Sequence, residues 1–477
     1  MHVFFRVDVS DKIGSGHIKR CQRIAGLFKP SQITFIIANQ NINYDFFSNL
    51  NYKKYYFSNV NYNIEKDIRY TTSILKKIDG KKLLIADSYK LNQLWEKKIK
   101  KYVDKLVIID DLPRKHYSDL LINQNWYFKD NKIYLNKYKN IKNIAFGPNF
   151  FLGDKKIKKN DKKIYWTIFF GGSDQDNITL KILKKIPKNK KIKICVVTLN
   201  ASKNNLNDIN NYIRKNNLTN ITVKKNLKKF NSILNKTKFF VGSGGSASWE
   251  RLLYEIPSLI IPTSKDQIHI SRNLYKNGLQ LLIEKEKILK RKSLNKEMIR
   301  LEKNYFKIKK KLSNLIDGQG LKRIKLLISD KINIKSDFRY VKKIDLGFLF
   351  FCVNHQTSIR SRFKSKEIKI TEHFNWFYKT LKNKNIEFFM ILINKIPVGF
   401  LRYDIKKNVA LIDIYIDSNF RNYKIGSEIL SKTMEKIKNE RKIKKFVAKI
   451  KKNNFLLINF FKKNFFKKKN NGFERII

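Results

Sequence analysis

Up to about residue 330 the sequence repeats one unit: a short apolar, β-rich run, then a turn, then a longer stretch of helical character. Strands that apolar must be covered on both faces, and a helical crossover between successive strands makes them parallel. The repeat therefore predicts open parallel sheets with helices on both faces. Candidate strands are Val3–Val7, Ile33–Ile37, Leu83–Ala86, Lys105–Ile109, Tyr165–Phe170, Ile192–Val197, Ile221–Val223, Phe239–Val241 and Leu259–Ile261. A break from Gly147-Pro148-Asn149 to Asn160 divides them into two groups, which predicts doubly wound domains over 1–152 and 153–335, the second closed by the Lys-rich helical segment 285–335. Two such domains would face each other across a cleft at the carboxyl ends of their strands, where ligands of such folds bind.

From about Phe338 the rhythm changes. Strands over Phe388–Ile393, Val398–Tyr403, Ala410–Ile416 and Lys445–Ile450, with helices from Gly426 to Lys438 and Asn454 to Lys462, predict an α+β domain over 338–477. The Asn394-Lys395 pair marks an antiparallel hairpin inside it.

Lys and Arg outnumber Asp and Glu by 103 to 39 in 477 residues, yet the hydrophobic content of 42% is that of a folded protein. Lysines spread from Lys53 and Lys54 through Lys188, Lys190 and Lys191 to Lys467–Lys469, alongside an excess of Asn and Ile, so the charge reads mainly as a solvated face that favours anionic ligands. The Lys/Asn-rich stretch Lys467–Asn471 is read as compositional, without a task. Nucleic-acid binding is a separate reading of this charge, but no binding motif accompanies it, and none is expected. Cys21, Cys195 and Cys352 are widely separated and lack a C-x-x-C, which argues against a disulfide framework or a metal site and for a reducing cytoplasm. No apolar run is long enough for a membrane span, and the first residues do not form a signal peptide.

Three glycine-containing stretches follow predicted strands. In Gly14-Ser15-Gly16-His17, two glycines allow a sharp turn, and a helix start offers N–H groups to an anion, with His17 at the cleft mouth. Phe169-Phe170-Gly171-Gly172-Ser173-Asp174 ends a strand in paired glycines and a polar pair. In Val241-Gly242-Ser243-Gly244-Gly245-Ser246, the residues Gly244, Gly245 and Ser246 suit a diphosphate, and Glu250, one turn on, suits ribose hydroxyls. A tight strand-to-helix turn would explain any one of these alone.

Together with Arg6-x-Asp8, Arg20-Cys21, Asp87-Ser88-Tyr89, Ile109-Asp110-Asp111, Asn123-Gln124-Asn125, Gly147-Pro148-Asn149, Glu250-Arg251 and Ile256-Pro257-Ser258, these stretches resemble the UDP-sugar hydrolases of pseudaminic acid biosynthesis. Those enzymes act on UDP-2,4-diacetamido-2,4,6-trideoxy-β-L-altropyranose and have the two-domain GT-B fold. The resemblance implies that His17 is the catalytic base, with Asp8, Tyr89 and Asp266 orienting it, the water or the sugar. It implies substrate contacts from Arg6, Gly16, Arg20, Gly172, Ser173, Asp174, Gly244, Gly245, Ser246, Glu250, Asp266 and Gln267. Asp266-Gln267 stands where the family has Asn-Gln.

Downstream, Ile416 and the loop Arg421-Asn422-Tyr423-Lys424-Ile425-Gly426-Ser427 join a strand to a helix, a geometry that wraps N–H groups around a pyrophosphate. The stretch resembles the acetyl-CoA loop of GNAT N-acetyltransferases, with Lys424 in place of its first glycine. The segments 353–360 and 370–377 resemble GNAT enzymes that acetylate the 4-amino group of UDP-amino sugars in the same pathway. The resemblance implies acetyl-CoA contacts from Ile416, Arg421, Tyr423, Lys424, Ile425, Gly426, Ser427 and Asn454, with Asp413 or Glu372 removing a proton. His355 and His373 read as structural, and Phe461 stands where many of these enzymes place a general-acid tyrosine for the departing CoA thiolate. The whole implies two doubly wound domains in GT-B arrangement followed by a GNAT domain: a cytoplasmic, bifunctional UDP-sugar hydrolase and N-acetyltransferase. Acetyl-CoA would be a co-substrate and a UDP-amino sugar the partner, with no tightly bound cofactor and no metal. A GT-B glycosyltransferase using a UDP-amino sugar, or a hydrolase for a legionaminic-type intermediate, fits the same residues.

Overall fold

The computed structural model describes residues 1–10, 16–40, 52–58, 61–153, 163–171, 174, 176–186, 192–198, 203–225, 230–245, 247–289, 291–329, 334–355, 366–421, 423–469 and 472–476. They form two compact units, Met1–Leu321 and Lys322–Ile477.

The first unit holds two parallel sheets. One is built from β1 (His2–Ser10), β2 (Ile33–Gln40), β3 (Lys53–Ser58), β4 (Lys82–Asp87), β5 (Lys105–Ile109), β6 (Leu120–Asn123) and β7 (Asn143–Phe146), in the order 3-2-1-4-5-6-7. The other comprises β8 (Tyr165–Phe169), β9 (Ile194–Thr198), β10 (Ile221–Lys225), β11 (Thr237–Gly242), β12 (Ser258–Ile260) and β13 (Leu281–Leu282), in the order 10-9-8-11-12-13. All nine strands expected in this region are present. Both sheets reverse strand order beside their first strand, between β1 and β4 and between β8 and β11. A crevice opens at the carboxyl ends of the strands at such a reversal, because the helices that follow leave to opposite faces. The central strands are buried on both sides, with Phe4, Phe5, Leu84, Ile85, Phe240 and Val241 fully covered.

The strands missed by sequence are β3, β6, β7 and β13. β3 lies at an edge, so only part of its surface is buried and Lys53 is exposed. The others have two to four residues, too few to show a period.

The second unit is one mixed sheet of β14 (Ser336–Tyr340), β15 (Ile386–Ile393), β16 (Ile396–Lys406), β17 (Val409–Ile416), β18 (Lys445–Lys449), β19 (Lys467–Lys469) and β20 (Gly472–Ile476), in the order 14-15-16-17-18-20-19. The β15–β16 hairpin turns through Asn394 and Lys395, both at positive φ, the geometry of a tight two-residue hairpin. β17 and β18 pair in parallel only over Val409–Leu411 and Lys445–Val447. Beyond Leu411 the two strands splay, although β17 continues to Ile416. Lys467–Lys469, read from sequence as purely compositional, is a short edge strand against β20 with every residue exposed; lysines on an exposed edge discourage further strand pairing.

Candidate active site

The two crevices of the first unit share one cavity of about 460 Å³. On one side, the helix Gly16–Ala25 follows β1 and brings Gly16, His17, Lys19 and Arg20 to the wall, while the loops after β4, β5 and β6 bring Tyr89, Asp111 and Asn125. His17 Nδ1 lies 2.6 Å from Oδ1 of Asp87, the last residue of β4. Arg20 grips the same carboxylate through Nε and Nη2, each at 2.8 Å. The edge of the His17 ring stands against Tyr89, whose hydroxyl donates to Asp111 at 2.7 Å.

Burial favours the neutral imidazole, but the Asp87 carboxylate beside it outweighs burial and holds the His17 pKa above 6.5. Burial would likewise raise the pKa of Asp87, and the Arg20 and His17 cations reverse this, bringing it to about 2. Lys19 is pulled below its ordinary value, chiefly by burial, against the attraction of Glu250.

The other side is formed by Gly171, Asp174, Ser243, Gly244, Gly245, Ser248, Glu250, Asp266 and Gln267. The Gly244 peptide is fixed at both ends. Its N–H donates to Gln267 Oε1 at 3.0 Å, and its carbonyl accepts from Ser248 Oγ at 3.0 Å. Gln267 Oε1 also accepts from the Thr263 N–H at 3.1 Å. A Cβ at Gly242 would run into the Phe169 carbonyl and one at Gly244 into Ser271 Oγ, so the close approach of backbone here demands glycine. Arg23 binds the carboxylate of Glu250.

Several expected site residues are bonded to the scaffold. Arg6 and Asp8 lie outside the cavity lining, where Arg6 is sealed between Asp67 and Asp8, and Asp8 also accepts from Ser88 Oγ. Asp8 therefore does not touch His17; the carboxylate that does is Asp87. Asp174 lines the cavity, but its two oxygens accept the Ile178 and Thr179 N–H groups at 2.9 and 3.1 Å, capping the helix Ile178–Leu183. Gly172, Ser173 and Ser246 lie outside the described residues. Asp87, Lys19, Asp111 and Asn125 were given no role from sequence. For Asp87 a signal existed: a carboxylate ending the apolar run Leu83–Ala86 is out of place unless something at the strand end uses it.

In the second unit, Asp417–Lys424 links β17 to the helix Ile425–Arg441. Lys424, the residue before the helix, has φ +60°, a conformation that favours the glycine it replaces. Arg421 Nε donates back to the Ile416 carbonyl at 2.9 Å, tying the loop to the strand end. Tyr423 is half exposed, Ile425 and Gly426 are buried, and Gly426 packs close to Ile416 and Phe460. Ser427 Oγ accepts from Asn464 at 3.0 Å, and Asn454 caps the helix Phe455–Lys463 through the Leu457 N–H. His373 is buried among Phe350, Trp376 and Phe377, and Glu372 is exposed.

Among the described residues no cluster of His, Cys, Asp and Glu could hold a metal ion, and no helix is long and apolar enough to cross a membrane. The three cysteines are free and buried.

The chain is similar to known proteins of two kinds. Residues 354–465 match the model of the acetyltransferase (GNAT) family. A UDP-2,4-diacetamido-2,4,6-trideoxy-beta-L-altropyranose hydrolase of Campylobacter jejuni is 28% identical over 286 residues, covering 59% of this chain and 98% of the relative. A Helicobacter pylori protein named pseudaminic acid cytidylyltransferase and UDP-2,4-diacetamido-2,4,6-trideoxy-beta-L-altropyranose hydrolase is 24% identical over 325 residues, 65% of this chain. The chain spans about half of that relative's length, 52%. An uncharacterized protein of Methanocaldococcus jannaschii is 23% identical over 99% of this chain and 98% of its own. The chain thus carries an acetyltransferase (GNAT) family domain joined to a region similar to hydrolases named for a UDP-diacetamido sugar.

Proposed function

We propose that this protein is a bifunctional nucleotide-sugar enzyme of bacterial nonulosonic (pseudaminic) acid biosynthesis, acting in the cytoplasm. Its GNAT domain transfers the acetyl group of acetyl-CoA to the 4-amino group of a UDP-amino sugar. Its first two domains, doubly wound over 1–152 and 153–335 in GT-B arrangement, hydrolyse the resulting UDP-2,4-diacetamido-2,4,6-trideoxy-β-L-altropyranose to the free sugar and UDP.

The observation that carries the hydrolase reading is the His17–Asp87 pair at a cavity whose opposite wall is the Gly244–Gly245 turn. Asp87 engages Nδ1, which leaves Nε2 to take a proton from water as the water oxygen bonds to the anomeric carbon. The bond from that carbon to the diphosphate oxygen breaks, and UDP departs with the electron pair. Lys19 and the Gly245 N–H, the Gly244 N–H being held by Gln267, meet the charge that develops on the diphosphate. Because UDP leaves readily as an anion, a carboxylic acid at the leaving oxygen is not required, unlike in ordinary glycosidases. Gly16, Arg20, Tyr89, Asp174, Glu250, Asp266 and Gln267 complete the nucleotide-sugar site, with Gly172, Ser173 and Ser246. Arg6 and Asp8, on β1, support it from outside the cavity lining.

In the GNAT domain the neutral amine attacks the thioester carbonyl, CoA leaves as the thiolate, and the amine proton is lost to solvent or a carboxylate. Catalysis there is mainly positioning. The splay of β17 from β18 supports this reading, since it leaves the backbone of Ile412–Ile416 without β18 as a partner, beside the Arg421–Ser427 loop. The test is UDP release from the diacetamido nucleotide sugar, which the wild type catalyses and His17→Ala loses. Equal rates in the two would reject the assignment.

A further inference from the structure

Asn125, in the loop after β6, stands between the two walls of the cavity and has a partner on each. Its Oδ1 accepts the indole N–H of Trp249 at 2.7 Å. Trp249 is fully buried in the helix that follows the glycine turn, between Ser248, which holds the Gly244 carbonyl, and Glu250. On the other side, Asn125 Nδ2 donates to Asp111 Oδ2 at 3.3 Å and to the Tyr127 hydroxyl at 3.0 Å. Asp111 in turn accepts from Tyr89, the ring against His17, and lies 3.6 Å from Arg20 Nη1, the arginine that grips Asp87. From Trp249, the neighbour of Ser248, polar side-chain contacts thus run through Asn125, Asp111, Arg20 and Asp87 to the histidine.

The chemistry of this position is narrow. The indole can only donate and the carboxylate can only accept, so the link must accept from one and donate to the other. A short primary amide does both, and its two partners fix which way it points. The Asn125 backbone N–H donates to Asn123 Oδ1 at 3.0 Å, so the loop presents the amide from a turn rather than leaving it to swing.

We propose that Asn125 is a positioning residue for hydrolysis, aligning His17 with the diphosphate turn through Trp249 on one side and Asp111 on the other. This rests on the hydrolase reading above. An enzyme in which the base and the leaving-group site stand on different sheets needs their separation set, since a small misplacement of reacting groups costs far more rate than affinity.

The test is steady-state hydrolysis of the UDP-diacetamido sugar by the full chain, with UDP affinity measured by calorimetry and folding by thermal melting. Asn125→Asp keeps the acceptor for Trp249 and replaces the donor with a second carboxylate facing Asp111. It is expected to lower kcat by roughly tenfold or more while KM and the Kd for UDP stay within about threefold. Trp249→Phe keeps an aromatic ring in the core and removes the N–H together with part of the indole; it should lower kcat by a smaller factor, and combined with Asn125→Asp it should add nothing, since both break one chain. If Asn125→Asp does not fold, Trp249→Phe alone decides: an unchanged kcat overturns the proposal. So do folded Asn125→Asp with wild-type kcat, a loss confined to KM, or effects of the two substitutions that multiply. A wild type that releases no UDP removes the hydrolase reading and this proposal with it, whereas active wild type beside equally active variants removes this proposal alone.

Discussion

Asp87 Oδ1 lies 2.6 Å from His17 Nδ1, and both Asp87 oxygens are gripped by Arg20, so the last residue of β4 fixes the ring at the start of the helix Gly16–Ala25. Replacing Asp87 by Asn removes the charge and keeps the shape. Hydrolysis should fall by about a hundredfold, in the range of a lost acid–base contribution, with the fold retained. Steady-state kinetics beside a thermal melt checks this, and wild-type kcat in Asp87→Asn would dismiss the pair as catalytic.

The same pair sets a pH dependence. A base works when neutral, so kcat/KM should rise with pH, with a midpoint above 6.5 because Asp87 holds the His17 proton. In Asp87→Asn, burial is no longer outweighed, and the midpoint of the remaining activity should move down. Stability runs the other way for His17. With its folded pKa raised, its contribution is full below 6.5 and is lost as pH rises through the folded value. The contribution of Asp87, depressed to about 2, is present above 3.8 and is lost as pH falls toward 2. A pH–rate profile and melts across pH read both.

Arg6 offers a contrast between scaffold and site. It is fully buried, with Asp67 at 2.5 Å and Asp8 at 2.6 Å, and Asp67 also accepts from Thr71 and the Trp95 indole. Arg6→Ala strands two buried carboxylates and should cost about 3–5 kcal/mol of stability by denaturant unfolding. A loss of substrate affinity without a loss of stability would return Arg6 to the cavity.

Lys424 holds a left-handed conformation in the loop before the helix Ile425–Arg441. Lys424→Gly should stabilise that loop by about 1 kcal/mol or less, with the gain in left-handed strain reduced by the entropy glycine brings to the unfolded chain. If the ammonium meets a CoA phosphate, the same change weakens CoA binding several-fold by calorimetry, and unchanged affinity would leave the lysine without that task.

The central strands were legible because a parallel sheet buries both faces and writes a solid apolar run, as in Leu83–Ala86 and Phe239–Val241. Edge strands such as Lys53–Ser58 and Lys467–Lys469 carry no such run and were invisible. His17, Gly244 and Gly245 were legible because sharp turns and titratable groups at strand ends are local features. The pairings were not. Asp87 is 70 residues from His17, and Trp249 is 124 from Asn125, so only the fold joins them. The Arg6–Asp8 pair reads two ways. A short Arg-x-Asp spacing on a strand puts both side chains on one face, which suits an ion pair as well as a ligand contact.

The most direct test of the whole account is an NMR time course of the full chain with the UDP-4-amino sugar, run with and without acetyl-CoA. The account predicts acetyl-CoA-dependent appearance of the free diacetamido sugar and UDP, with the acetylated UDP-sugar passing as an intermediate. An acetylated UDP-sugar that accumulates and persists would contradict the hydrolase half, and an amino sugar left unacetylated would contradict the other.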